Sequence, residues 1–336
     1  MGGISYHLRS LYNKIAASGH NITVLAGKCP QSWRELEEEI PEDIQVEPVQ
    51  FGFREGYYIL YPIALRKRLL SIDTDQFDIA VAHTPLPFEI PDVPLVTKYH
   101  DCIPKTRPYY RENLSKLKKR GDTLIHPIRK IINKRSFQKT DHAIFNSKIN
   151  KDGWTSSYDV NLPYSVIYNG VDLDKFNPSR RRNENYVVFV GTTEQKGLTD
   201  VIEYADKNEY TVHIVGDIEV DHTNIVCHGR VSQKELQKIY SEATATVHPA
   251  KFESFGNSIL ESLACGTPVV TTSCCGASEI LSKETGYTTR DISSGIEEVK
   301  KCSSDDCVQL AKKYSWCSVA EKTVSLLDDI RRKNND

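Results

Sequence analysis

The sequence predicts an α/β protein of two doubly wound units that face each other across a cleft. Three observations predict it. The chain has 336 residues, too many for one ordinary core and enough for two of roughly 150 residues each. Short apolar runs alternate with helix-patterned stretches, which implies parallel sheets covered on both faces. That alternation breaks once, around residues 161–180, where Asn169-Gly170 and Asn177-Pro178 are turn signals, and then it restarts. A boundary placed there gives a first domain over residues 1–165 and a second over residues 166–336. Two such units build a site from both sets of strand C-terminal ends.

The elements follow in order. Ile4, Leu8, Leu11 and Ile15 recur at helical spacing, and Gly19 supplies the stop. Residues 21–26 read as a buried strand, and residues 44–51 as another short one. Strands at 77–83, 94–100 and 142–147 complete the first unit. The second unit reads as strand 186–190, helix 198–205, strands 210–215 and 224–227, helix 232–242, strand 245–248, helix 257–265 and strand 268–272.

Composition narrows the class. Hydrophobic residues make up 39% and charged residues 26%, a globular balance. No apolar run approaches the roughly 18 residues of a membrane span. The first residues hold no basic segment followed by an apolar one, so they do not read as a signal peptide. A cytoplasmic setting is expected. The nine cysteines are scattered and never spaced Cys-x-x-Cys, as reduced thiols are. Net charge is −2, which gives no overall field, and no nucleic acid partner is expected. The charge is unevenly spread. Residues 1–165 hold 23 basic and 19 acidic side chains, while residues 111–139 alone hold ten basic and two acidic.

The segment that carries chemistry is residues 245–270. A buried strand runs into Pro249, a polar loop follows, and a helix starts near Gly256 and is closed by Gly266 and Pro268. Its N-terminus then sits at the C-terminal edge of the sheet, where free N–H groups and the helix dipole form an anion site. Gly256 lets a ligand approach the backbone. Glu253 lies in the loop and Glu261 in the second helical turn. Ionised carboxylates are pure acceptors and suit pairs of sugar hydroxyls. By spacing alone the two glutamates read equally as a helix-start charge and a solvated surface charge.

This segment resembles the donor-site signature of the retaining glycosyltransferases of family 4 (glycosyl transferases group 1), which have the GT-B fold of two Rossmann-like doubly wound domains. That signature is Glu, seven residues, Glu, then Ala-x-Gly-x-Pro-Val-Val. Here it is Glu253, Glu261 and Ala264-Cys265-Gly266-Thr267-Pro268-Val269-Val270. Other matches run along most of the chain. Gly2-Gly3-Ile4 with His7 resembles the glycine-rich loop, and Tyr99-His100-Asp101 with Ile103-Pro104 the His-Asp loop. Ile167-Tyr168-Asn169-Gly170-Val171-Asp172 resembles the start of the second domain, Gly191 with Lys196-Gly197 its phosphate loop, and Tyr314-Ser315-Trp316 the start of the closing helix.

The resemblance implies roles. Glu253 contacts the donor sugar and Glu261 the ribose. The backbone at Phe255, Gly256 and Asn257 approaches the donor. Lys196 neutralises the diphosphate, a task suited to a point charge. Gly3 lets the first domain approach the phosphate, and His100 reaches the reacting sugar. From the residues alone, a histidine at a strand end is as readily a polar cap. The first domain takes the acceptor side and the second the nucleotide sugar, with the last helix packing back on the first. The expected activity is transfer of a hexose from a nucleoside-diphosphate sugar to a glycan or lipid-linked acceptor with retention, in surface polysaccharide or protein-glycan assembly. The alternative is an inactive nucleotide-sugar-binding module. No cofactor beyond the co-substrate is implied.

Two departures stand out. Thr192 occupies the position where the family carries an arginine, which removes one diphosphate cation; Arg230 is the candidate substitute. The chain also begins at the glycine-rich loop, so the first strand of the N-terminal domain is expected to be missing, through a late start or a truncation. Asp73-Thr74-Asp75 and Asp172-Leu173-Asp174 match an Asp-x-Asp metal pattern but read as turns, and no metal is expected. In residues 111–139, Ile125, Ile128, Ile131 and Ile132 recur beside Arg129, Lys130, Lys134 and Arg135. That pattern fits an outer helix with a solvated face, or a patch resting on the anionic inner face of the cell membrane.

Overall fold

Parallel strands joined by helices organise both halves of the chain. The computed structural model describes residues 3–29, 44–53, 56–112, 114–159, 161–179, 185–207 and 210–335. The first half runs α1 (Gly3–Ala17), β1 (Ile22–Lys28), β2 (Ile44–Gln50), α2 (Tyr57–Leu69), β3 (Ala80–Ala82), β4 (Leu95–Tyr99), α3 (Ile103–Glu112), α4 (Lys116–Lys139), β5 (His142–Phe145), α5 (Lys148–Thr155) and β6 (Tyr164–Val166). The second half runs β7 (Tyr186–Val190), α6 (Leu198–Lys207), β8 (Thr211–Val215), β9 (Ile225–Cys227), α7 (Gln233–Glu242), β10 (Ala245–His248), α8 (Asn257–Ala264), β11 (Val269–Thr271), β12 (Gly286–Thr288), α9 (Ile292–Val299), α10 (Ser304–Lys312) and α11 (Trp316–Asn335).

The second half builds one six-stranded parallel sheet in the order β12-β11-β10-β7-β8-β9. Its central strands β7 and β10 are buried almost throughout, as strands covered on both faces are. Val187, Val188 and Phe189 of β7 and Ala245 and Val247 of β10 are fully buried. One face packs on α7 and α8, the other on α6 and α9.

The first half divides its strands between two sheets. β1 pairs with β2 from Ile22 opposite Ile44 to Lys28 opposite Gln50, while β3-β4-β5-β6 form a separate parallel sheet. Among the described residues, β1 has no ladder except with β2, and β3 none except with β4. The expected strand at 77–83 shrinks to the three residues of β3, which has a partner on one edge alone. Strand 94–100 is β4, with all five residues buried.

The outer helix expected within residues 111–139 is α4, Lys116–Lys139. α3 ends at Glu112, and α4 starts anew after Ser115, whose side chain accepts from the Lys118 N–H. At the other end of the chain, α11 leaves the second half. Its Trp316, Val319, Ala320 and Ile330 share a core with Leu11 and Ile15 of α1, Val96 of β4 and Ile144 of β5.

Candidate active site

The site begins where β10 stops. His248 ends the strand, and α8 begins at Asn257 behind Gly256, which has φ 98° and caps without a side chain. The Ile259 N–H donates to the Gly256 carbonyl at 3.1 Å, which leaves the N–H groups of Asn257 and Ser258 at the helix start for a ligand. A Cβ on Gly256 would sit 2.9 Å from the Cys275 Sγ. The intervening loop is woven into residues 274–277: the Glu253 N–H donates to the Cys274 carbonyl at 3.0 Å, and the Gly276 and Ala277 N–H groups donate to the carbonyls of Glu253 and Phe255 at 2.9 and 2.7 Å. Phe255 itself is buried in the core. Asn257 is held from outside the helix, its Oδ1 accepting from Asn169 Nδ2 at 2.9 Å.

Lys196 reaches the same place from the tight turn Glu194–Lys196, which Gly197 closes at φ 89°. That turn is tied to the loop, because the Lys251 N–H donates to the Gln195 carbonyl at 2.9 Å and Gln195 Nε2 donates to the Phe252 carbonyl at 3.0 Å. Lys196 Nζ lies 3.9 Å from Glu253 Oε2. Gly191 leaves room for the lysine stem, since a Cβ there would meet Lys196 Cδ at 2.7 Å. Glu253 Oε2 is buried and accepts no hydrogen bond among the described residues. Burial raises the Glu253 pKa, against the pull of Lys196. One turn into α8, Glu261 accepts from the Tyr240 hydroxyl at 3.3 Å, and burial pushes its pKa up to about 7.

His248 completes this cluster, and the sequence reading passed it over as a strand end. Its Nε2 lies 3.8 Å from Glu253 Oε2. Burial, helped by Lys196, lowers its pKa to about 3, so at neutral pH the contact is not an ion pair. The one signal was a polar residue closing an apolar strand.

From the first half, His100 follows β4. Its carbonyl accepts from Asn146 Nδ2 at 2.8 Å. The next residue, Asp101, accepts through Oδ1 from the Ser254 hydroxyl at 3.1 Å, and Ser254 Oγ accepts from the Cys102 N–H at 3.0 Å. Ser254 adjoins Glu253, so these bonds set the His100 loop against the Glu253 loop. Burial, with Lys98 adding to it, lowers the His100 pKa to about 3. The structure thus gathers Lys196, Glu253, Phe255, Gly256, Asn257 and Glu261, with the His100 loop tied to the Glu253 loop through Asp101, Cys102 and Ser254. Gly3 is the first residue of α1, and the surroundings of its side are outside the described residues.

The remaining sequence candidates fall elsewhere. Arg230 pairs with Asp217 at 3.1 Å, both side chains being exposed. Asp73 and Asp172 accept from the N–H groups of Asp75 and Asp174 at 3.3 and 3.1 Å, as turn residues do.

Comparison with known proteins gives consistent matches. The family model described as Glycosyltransferase Family 4 matches residues 1–175, and that described as Glycosyl transferases group 1 matches residues 184–305. An uncharacterised 41.2 kDa protein in the cps region of Klebsiella pneumoniae is 34% identical over 137 residues, covering 35% of this chain and 38% of that protein; the chain thus matches well under half the length of that relative. The O-antigen chain mannosyltransferase of Salmonella typhimurium is 25% identical over 298 residues, covering 83% of this chain and 73% of that one. Among solved structures, Anabaena HepE in complex with UDP-glucose superposes with a TM-score of 0.69 at 16% identity, covering 98% of this chain and 96% of that one, a likeness of fold.

Proposed function

The chain belongs to glycosyltransferase family 4, and on that premise we propose that it moves a hexose from a nucleoside-diphosphate sugar to a glycan or lipid-linked acceptor, with retention, in the assembly of a surface polysaccharide or protein-linked glycan. One observation carries the proposal: the buried, unpartnered Glu253 Oε2 placed 3.9 Å from Lys196 beside the uncapped start of α8. A buried carboxylate oxygen without a donor is costly. A sugar hydroxyl supplies that donor. Lys196 and the α8 N-terminus are suited to the negative charge that builds on the leaving diphosphate. Glu261, one turn deeper in α8, suits the ribose hydroxyls.

The chemistry needs no protein nucleophile. As the glycosidic bond to the diphosphate breaks, the sugar becomes cationic, and the acceptor hydroxyl attacks from the face the phosphate leaves. The departing phosphate takes the acceptor proton. No metal takes part in this scheme, because Lys196 and the helix amides carry the leaving charge.

The test is direct. A thermal-shift screen against nucleoside-diphosphate sugars identifies the donor, because a ligand at a hundred times its Kd stabilises the fold by about 2.7 kcal/mol. Hydrolysis or transfer of that donor is then expected to fall at least about a hundredfold in Glu253→Ala. Tight donor binding with no turnover toward any acceptor supports the inactive binding module instead.

A specific surface favours a membrane-bound acceptor. Along α4, Leu117 and Leu124 are 79% and 78% exposed, and Ile128 and Ile131 are exposed on the same face. Lys116, Lys118, Lys119, Arg120, Lys130, Lys134 and Arg135 surround them. Three other cations of the region, Arg107, Arg111 and Arg129, are held by Asp122 at 2.8 to 2.9 Å, so the helix is braced while its outer face stays open. Exposed apolar residues flanked by cations suit anionic lipid. Flotation with phosphatidylglycerol vesicles is expected at low salt and reduced at high salt. Absence of flotation at low salt removes the membrane contact.

A further inference from the structure

Behind His100 stands a chain of side chains that the proposed chemistry leaves unexplained. His100 Nε2 lies 2.7 Å from His83 Nδ1. His83 Nε2 in turn meets the Tyr12 hydroxyl at 2.5 Å. The three groups come from separate elements: Tyr12 from α1, His83 from the end of β3, and His100 from the end of β4. Two more groups crowd them. The His7 ring stands edge-on to His100 with centroids 4.7 Å apart, and Lys98 is buried with no hydrogen bond to its Nζ among the described residues.

The direction of this chain follows from its outer end. The Tyr12 hydroxyl has one proton to place, and its partner among the described residues is His83 Nε2. If His83 donated to the tyrosine oxygen instead, a buried O–H would be left without an acceptor, which is costly. The hydroxyl therefore donates, and Nε2 of His83 is an acceptor. A neutral imidazole carries one proton, so His83 is protonated at Nδ1 and donates to His100 Nε2. By the same rule His100 carries its proton at Nδ1, the nitrogen left without a protein partner among the described residues. The surroundings oppose a second proton on either ring: burial lowers the His83 pKa well below the ordinary range and the His100 pKa to about 3, with Lys98 contributing to both.

We infer that Tyr12 and His83 are positioning residues that fix His100 in one tautomer, so that it presents a neutral Nδ1–H donor to a hydroxyl of the reacting sugar and never serves as a proton acceptor. The inference rests on the glycosyl-transfer reading for the identity of the hydroxyl, but the tautomer does not.

Two readouts test it. In protein labelled with 15N-histidine, long-range 1H–15N spectra distinguish protonated from bare ring nitrogens. The expected result is a protonated Nδ1 and a bare Nε2 at His100 from pH 6 to 8. Tyr12→Phe removes the donor that anchors the relay, so His100 should move toward a mixture of tautomers. With the identified nucleotide sugar, kcat should then fall roughly tenfold, the scale of one lost hydrogen bond in the transition state, while KM for the donor changes little. His83→Phe should lose as much. His83→Asn, whose amide nitrogen occupies the place of Nδ1 and still donates, should restore both the tautomer and most of kcat. A His100 protonated at Nε2, or doubly protonated at pH 7, overturns the inference. So does a tautomer shift in Tyr12→Phe with unchanged kcat. If the unmutated protein turns over no nucleotide sugar while His100 keeps its proton on Nδ1, it is the glycosyl-transfer reading that fails and the relay that stands.

Discussion

At the scale of single residues, the site is a set of carboxylates and imidazoles whose protonation is set by burial. Glu261 is the clearest case, with its pKa raised from 4.5 to about 7. A carboxyl with a raised folded-state pKa binds its proton more tightly in the folded chain than in the unfolded one, so stability is lost as pH rises from 4.5 to about 7. The buried histidines act with the opposite sign. His248 and His100, lowered from 6.5 to about 3, add stability as pH rises between those values. The net profile therefore mixes both, and the Glu261 part is isolated by difference. Relative to the unmutated protein, Glu261→Gln should gain in Tm steadily from pH 5 to pH 7 and then level off. A constant difference across that range would show that Glu261 ionises as freely as in the unfolded chain. Of these residues the sequence made Glu253, Glu261, Lys196 and His100 legible, because each sits in a motif of fixed spacing. His248 and Tyr240 were not, since what makes them matter is a distance to Glu253 and Glu261, and nothing in a strand end or a helix face reports that.

At the scale of elements, α8 is the part most fully written in the sequence. Gly256 opens it, Gly266 and Pro268 close it, and the helix found, Asn257–Ala264, is one residue shorter than expected. The glycine at its start is required by geometry. A φ of 98° costs a residue with a side chain about 1–2 kcal/mol, and the added Cβ would also press on Cys275 at 2.9 Å. Gly256→Ala is therefore expected to lower Tm by roughly 2–8 °C and to weaken donor binding by tilting the first-turn amides. A variant with unchanged Tm and unchanged thermal shift by donor would mean that the loop absorbs the side chain. Elements at the sheet edge were less legible. β3 was expected to be seven residues long and is three, because a strand without a ladder on one side has fewer bonds to extend it. The start of α4 was less legible too, although Ser115 marks it by accepting from the Lys118 N–H.

At the scale of the molecule, the two halves are joined by bonds that cross the chain at long range. Glu279, in the short helix Gly276–Ile280, accepts from the Lys148 and Ile149 N–H groups at 2.9 and 2.8 Å and from the Tyr168 hydroxyl at 3.0 Å. Its carboxylate thus caps the N-terminus of α5, where the helix dipole favours a negative charge. A second set lies nearby: Ser147 Oγ donates to the Ser254 carbonyl at 2.6 Å, beside the Asp101 contact. Sequence could name both halves but not this seam, whose partners stand 131 residues apart in the chain. Hydrogen bonds to a charged group contribute about 1.5–3 kcal/mol each, so Glu279 alone can hold the halves in register against domain motion. Glu279→Ala removes that hold and leaves the donor cluster of Lys196, Glu253 and Glu261 intact. The nucleotide alone should still bind within about twofold of its original affinity, because Lys196, Glu253, Glu261 and the α8 N-terminus all come from the second half. Turnover should fall about tenfold or more, because His100 must approach the sugar from the first half, and each 1.4 kcal/mol lost in that approach is a factor of ten. Small-angle scattering should report a larger radius of gyration for the variant, and saturating donor should draw it back toward the original value. If scattering and turnover both match the unmutated protein, the seam is held by the Ser147 and Asp101 contacts with Ser254, and Glu279 does no more than cap α5.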